Sequence, residues 1–136
     1  MGQTATLSEV DALVRDRLLP LRERIVDAFA AKHPHWNTMI GAFLNNKENK
    51  AGMQVVENGQ IVGQYTFHLT GMRIRDTEYG KLDSAINHPL MGLIKPYLIV
   101  ERRALEKMIG DEANLTNEPF STAAKYLPDI TFKFLQ

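Results

Sequence analysis

The stretch that decides the fold is Met53–Ile74, MQVVENGQIVGQYTFHLTGMRI. Asn58-Gly59 lies between two apolar runs, and this dipeptide suits a type I′ hairpin turn because both residues tolerate positive φ. A two-residue turn fixes a register: Glu57 opposite Gln60, Val56 opposite Ile61, Val55 opposite Val62, Gln54 opposite Gly63 and Met53 opposite Gln64. Side chains alternate across a strand, so one face carries Val56, Ile61, Tyr65, Phe67 and Leu69, with Gly63 leaving room beside Tyr65. That face is assigned to the core. The other carries Met53, Val55, Val62, Gln64, Thr66 and His68. Its valines and methionine make it more apolar than a solvated face should be, and a two-fold homodimer would bury such a patch.

N-terminal to the hairpin, Thr6-x-x-Glu9 reads as a capping box opening an amphipathic helix with Leu7, Val10, Leu13, Val14, Leu18, Leu21, Ile25 and Phe29 on one stripe. Pro20 either kinks this helix or occupies the first position of a second one. Asp11 and Arg15 are spaced to pair on the solvent side. The pattern stops at His33-Pro34, where a histidine near the last carbonyls complements the helix end. Trp36–Leu44 is a short helix or a buried strand. The strand is favoured, because the polar hexapeptide Asn45–Lys50 then serves as a hairpin loop.

C-terminal to the hairpin, Thr70-Gly71 marks a bulge or bend, after which Met72–Arg75 continues the alternation. Lys81–Gly92 has no clean period and is read as a short helix or a mobile segment. Lys95–Glu101 is a strand with proline at its start or edge, and Arg102–Ile109 is a helix stopped by Gly110. Asn117-Glu118-Pro119 opens another short helix, and Asp129–Leu135 is a strand with Ile130, Phe132 and Phe134 on one face. The expected architecture is α+β, a five-stranded, mostly antiparallel sheet with helices packed on one face. Residues 1–136 form one expected domain, with a helical segment at 7–33 and a sheet-forming region at 38–136.

Composition narrows the function. Sixteen basic residues balance sixteen acidic ones and the aromatics are scattered, so neither the charge nor the stacking platform of a nucleic-acid binder is present. The chain has no cysteine, hence no disulfide or thiolate chemistry, and a cytoplasmic location is expected. The N-terminal stretch lacks the apolar core of a secretory signal, and no run reaches membrane-spanning length. MGQTAT fits the loose myristoylation pattern, and Asn114-Leu115-Thr116 is formally a sequon; neither carries weight without supporting context.

His33, His35, His68 and His88 are too scattered for a metal motif, and no cofactor is expected. His68 is expected to face solvent or a subunit. Asp83, Glu101 and Asp129 read as surface charges, and neither a phosphate loop nor a nucleophile elbow occurs.

Ile40–Leu44, the Lys47-Glu48 loop, Met53–Val56 with its Asn58-Gly59 turn, Tyr97–Val100 followed by Leu105–Gly110, and Phe120 with the closing Ile130-x-Phe132-x-Phe134 resemble, in this order, the sterol carrier protein family. The chain differs from that family in a longer Asp76–Leu93 segment and in Tyr126-Leu127-Pro128-Asp129 where the family has a glycine-rich turn. The resemblance implies a tunnel between sheet and helices that holds a hydrophobic small molecule or lipid, such as a fatty acyl chain, with no covalent chemistry. Candidate lining residues are Phe43, Val56, Tyr65, Phe67, Met72, Met91, Met108, Phe120 and Phe132, since methionine and phenylalanine fill adaptable apolar sites. Arg73 and Arg75, with Lys95, are candidate anchors for a carboxylate or phosphate at the tunnel mouth. One alternative is an interaction module whose side chains fill the tunnel. The other is an enzyme or accessory subunit acting on an acyl thioester, hinted at by the arginine pair near Tyr79.

Overall fold

The computed structural model describes residues 8–36, 38–39, 48–71, 73–88 and 90–135. The chain is helical from Glu9 to Lys32 in three pieces: α1 (Glu9–Leu13), a π-helical turn at Val14–Leu18, and α2 (Leu19–Lys32). The N-cap is Ser8, whose hydroxyl accepts from the Asp11 amide at 3.0 Å, rather than the expected Thr6, which lies outside the described residues. Pro20 explains the π turn. It has no N–H to give, and its ring crowds the carbonyl four residues back, so the ladder ahead of it widens and the Leu19 amide bonds to the Val14 carbonyl. The proline is thereby absorbed without breaking the helix.

Among the described residues seven strands follow: β1 (Asn49–Glu57), β2 (Gln60–Thr70), β3 (Arg73–Tyr79), the short pair β4 (Ile86–His88) and β5 (Gly92–Ile94), β6 (Pro96–Glu101), and finally β7 (Ile130–Phe134). Between the last two lie α3 (Arg102–Gly110), α4 (Glu112–Asn117) and α5 (Pro119–Ala124). The main sheet has five strands in the order β3-β2-β1-β6-β7. The fold is therefore α+β with a mixed sheet, in which β1 and β6 run parallel while the other neighbours are antiparallel.

The expected antiparallel strand at Trp36–Leu44 is not part of the described sheet. Residues 34–36 and 38–39 are helical, and 40–47 lie outside the described residues. The fifth strand comes instead from β3, because the chain reverses at Gly71 (φ 59°) and folds back along β2 rather than continuing its line.

The parallel pair arises from the path of residues 80–95. After β3 the chain crosses the outer face of the sheet to reach the free side of β1. Thr66, fully buried, fastens it there: its hydroxyl donates to the Lys81 carbonyl and accepts from the Asp83 amide, both at 2.8 Å. Gly52 lets the strap lie flat, since a Cβ there would stand 2.6 Å from Leu82 Cδ1 and 2.9 Å from Tyr97 Cβ. Lys50 and Ala85 then exchange backbone hydrogen bonds at 2.8 Å before the β4–β5 hairpin, after which β6 enters beside β1. The segment expected as a short helix or a mobile stretch is thus a strap and a hairpin.

The central hairpin has its expected turn, with Asn58 and Gly59 both at positive φ (52° and 77°). Its register departs after two pairs. Val56 faces Ile61 as expected, but Val55 then faces Gly63, Gln54 faces Gln64 and Met53 faces Tyr65, leaving Val62 as an unopposed bulge residue. One extra residue exchanges the faces of the strand beyond it. Met53 and Val55 therefore share the core face with Tyr65 and Phe67, all buried, whereas Val56 is only partly buried and Ile61 is 54% exposed. The methionine and valine that suggested a dimer contact are inside the molecule. The room beside Gly63 is taken by the Tyr65 ring itself.

On this face α1, the π turn and α2 pack through Val10, Val14 and Leu21, and α3 and α4 through Leu105, Ile109 and Leu115. Each such fully buried aliphatic side chain contributes about 1.5–3 kcal/mol. Asp11, expected to pair with Arg15, turns inward and accepts from the Tyr65 hydroxyl at 2.7 Å, while Arg15 pairs with Asp16 at the same distance. The opposite face carries polar pairs across strands: Gln54 with Gln64 at 3.0 Å, and Lys50 with Asp83 of the strap at 2.9 Å. His68, expected to face solvent or a subunit, bonds to Glu78 on β3 at 2.6 Å.

Candidate functional site

Between the core face of the sheet and the helices lies a cavity of about 590 Å³. The sheet supplies its floor: Met53 from β1, Phe67 from β2, Leu98 and Val100 from β6, and Ile130 and Phe132 from β7. The strands present these side chains because alternation, corrected for the bulge, puts one of every two residues inward. Leu18, Leu19, Arg22 and Ile25 on the N-terminal helices form one wall, and Leu105, Met108, Leu115, Phe120 and Ala123 on α3–α5 form the other. Ile86, Pro96 and Tyr97 close the end where β1 parts from β6.

Helix-to-helix contacts join the two walls. Phe29 and Phe120 meet edge to face with ring centroids 5.7 Å apart. The Lys32 ammonium donates to the Asn117 carbonyl at 2.7 Å, and Arg24 pairs with Glu112 at 2.9 Å. His33 ends α2 by donating its amide to the Phe29 carbonyl at 2.8 Å, and its ring lies 5.1 Å from that of Phe29.

Four of the expected lining residues are in the wall: Phe67, Met108, Phe120 and Phe132. Others are elsewhere. Val56 lies beyond the bulge on the opposite face, and Tyr65 is buried beneath α1 with its hydroxyl on Asp11. Burial, and then the neighbouring carboxylate, push the Tyr65 phenol well above its ordinary value. Met91 is 64% exposed at the tip of the β4–β5 hairpin, next to Leu90 and close to Leu93, which are also exposed. Phe43 and Met72 lie outside the described residues.

The expected anion anchors are already engaged. Arg73 donates to Glu23 at 2.9 Å and also to Asp27 on α2, and these two carboxylates raise its pKa. Arg75 donates to Glu48 at 2.8 Å. Neither lines the cavity. The wall has one charged residue among the described residues, Arg22. Burial lowers the Arg22 pKa, opposed by Glu23 and reinforced by the positive charge of Arg73.

Sequence reading missed Arg22 because it was looking for cations on the strands. The signal was available: Arg22 stands four residues after Leu18 and three before Ile25, and so shares their helical face.

Chemically, this wall can solvate an alkyl chain and offer a guanidinium. Among the described residues it brings together neither a nucleophile with a base nor a pair of carboxylates. Among the described residues, no group of three or more His, Asp or Glu side chains could hold a metal ion. No helix among them is long and apolar enough to cross a membrane. No protein-family model matches the chain, and no curated protein matches it in sequence.

Proposed function

We propose that the protein is a non-catalytic carrier or sensor of a hydrophobic ligand, a fatty acyl chain or related lipid, bound between the sheet and the helices in the manner that the resemblance to sterol carrier proteins implies. The observation that carries this reading is the cavity: a half-open space of about 590 Å³ lined mainly by leucine, isoleucine, methionine and phenylalanine residues. Small-molecule sites typically measure about 300–1,000 Å³ with mostly apolar walls. Ten buried methylenes at about 0.8 kcal/mol each would contribute roughly 8 kcal/mol before the costs of association. The same volume weighs against the alternative of an interaction module with a filled interior. A homodimer is not required, since Met53 and Val55 face the helices. The cysteine-free composition favours the cytoplasm as the place where it works.

Native mass spectrometry of the purified protein, followed by organic extraction, tests the reading. The expected result is a mass excess that collapses on denaturation and is recovered as an alkyl-chain compound. If the protein is empty as purified, and neither dodecanoate nor dodecan-1-ol adds to it or raises its melting temperature when supplied in excess, the carrier reading fails.

A further inference from the structure

The wall of the cavity contains one group that an apolar container does not need. Arg22 sits on α2 between Leu18 and Ile25, among aliphatic neighbours, and its side chain is 32% exposed. A guanidinium so placed is held there by a good partner or bears an uncompensated desolvation cost. The partner is poor. Among the described residues Arg22 makes one hydrogen bond, at 3.4 Å to Glu23 Oε2 of the adjacent residue. Glu23 directs its other oxygen to Arg73 at 2.9 Å, and Arg73 takes Asp27 as well. Two carboxylates thus serve two arginines unequally: Arg73 has close contacts with both, and Arg22 is left with one long contact.

A guanidinium offers five N–H donors in a planar fork that fits a carboxylate or phosphate in two parallel bonds. From this geometry we infer that the ligand is an anionic amphiphile, an alkyl chain ending in a carboxylate or comparable anionic head, with Arg22 as the anchor for the head and the apolar walls taking the tail. The inference rests on the cavity being a ligand site and adds to it the class of ligand and the residue that selects it. The acid head supplies what the site lacks: it pairs the half-buried cation without displacing Glu23 from Arg73. The lowered proton affinity of Arg22 agrees with a charge that burial penalises and its neighbours under-compensate. Arg73 and Arg75, the cations that sequence alone suggested, are spent on Glu23, Asp27 and Glu48.

The test compares two probes of equal chain length, dodecanoate and dodecan-1-ol, by isothermal titration of the wild-type chain and of Arg22→Met, which keeps an apolar stem but removes the fork. The wild type is expected to prefer the acid by roughly tenfold or more, the range of a charge-assisted pair. In Arg22→Met that preference should vanish through loss of acid binding, with the alcohol still bound. Arg22→Lys, a point charge without the fork, should retain part of the preference and covers the case in which the methionine variant does not fold. Equal binding of both probes by the wild type, or an acid preference that survives intact in whichever of these variants folds, overturns the anchor while leaving the carrier reading in place. Such a result would make Arg22 a side chain that merely lays its stem along the wall. Binding of neither probe by the wild type removes both readings together.

Discussion

Replacing Tyr65 by phenylalanine removes one atom from the centre of the molecule, and the structure says what that atom does. The Tyr65 side chain is fully buried, stacks on Phe67 at a centroid distance of 6.2 Å, meets Tyr79 edge to face at 5.8 Å, and donates its hydroxyl to Asp11 at 2.7 Å. This bond joins the first helix to the second strand across 54 residues of chain. Hydrogen bonds to charged groups contribute about 1.5–3 kcal/mol. Asp11 is only partly buried and can recover water when the hydroxyl is lost, so the lower end applies, about 1.5–2 kcal/mol. For a chain of this length that is a fall in melting temperature of roughly 5–8 °C.

The same substitution alters the alkaline limb of the stability curve. The folded phenol titrates above its unfolded value of 10.0. Its contribution is therefore full below that value and is lost as pH rises above it, when the unfolded chain ionises first. Tyr65→Phe should be less stable near neutrality, and its stability should fall less steeply above pH 10. Tyr79 and Tyr126, both also raised, keep some of the slope. Urea titrations from pH 7 to pH 11, with a double-mutant cycle on Asp11→Ala, supply the comparison. A neutral-pH loss below about 0.5 kcal/mol, together with a coupling indistinguishable from zero, would refute the account of how the first helix is held to the sheet.

Two further substitutions probe the strap and the acid limb. Gly52→Ala would drive a methyl against Leu82 Cδ1 at 2.6 Å and Tyr97 Cβ at 2.9 Å, and should cost about 1–3 kcal/mol by chemical denaturation; an unaffected midpoint would mean that residues 81–84 do not lie on the sheet. Glu78, Asp83 and Asp111 are held below their ordinary values, chiefly by His68, Lys50 and Asn114 respectively. Each such group stabilises the fold above its unfolded value and loses that effect as pH falls through the folded one, so stability should drop below the ordinary 3.8 of aspartate and 4.5 of glutamate. Lys50→Met should be less stable at pH 7 and should converge on the wild type as the solution is acidified; parallel curves would count against the Lys50–Asp83 pair.

What the sequence made legible were the features with local causes. Asn58-Gly59 set the hairpin turn because backbone sterics at two residues suffice, and Pro96 marked the start of a strand because it has no amide to give. The helix-breaking residues around α3 and α5 acted over a few positions in the same way. The bulge at Val62 was not legible. Alternation read from a turn assumes that neither strand gains a residue, and Gln-Ile-Val-Gly-Gln carries no sign that Val62 is the extra one. That one residue moved Met53 and Val55 from a supposed outer patch to the core, and Val56 the other way.

Gly71 looked like a bend because glycine is compatible with a bend, a bulge or a reversal, and the choice depends on β3 finding β2 as a partner. The inward turn of Asp11 was hidden for a related reason. Its spacing to Arg15 suits a surface pair, and only the position of Tyr65, far along the chain, offers it a better one. Of the residues chosen by type, Phe67, Met108, Phe120 and Phe132 border the cavity, whereas Met91 lies at a hairpin tip. Whether Arg22 or Arg73 carries a free fork depends on which of them Glu23 and Asp27 reach first, and no pattern in the sequence reports that.

The most direct test of the central claim, that an alkyl chain enters the space between sheet and helices, is a dodecanoate titration of isotope-labelled protein followed by NMR chemical shifts. The account predicts saturable shifts at Phe67, Leu98, Met108 and Ala123, whose side chains form the wall, while the polar pair Gln54 and Gln64 on the opposite face stays unmoved. Shifts confined to that opposite face or to the exposed Leu90–Leu93 tip, or none at saturating probe, would contradict it.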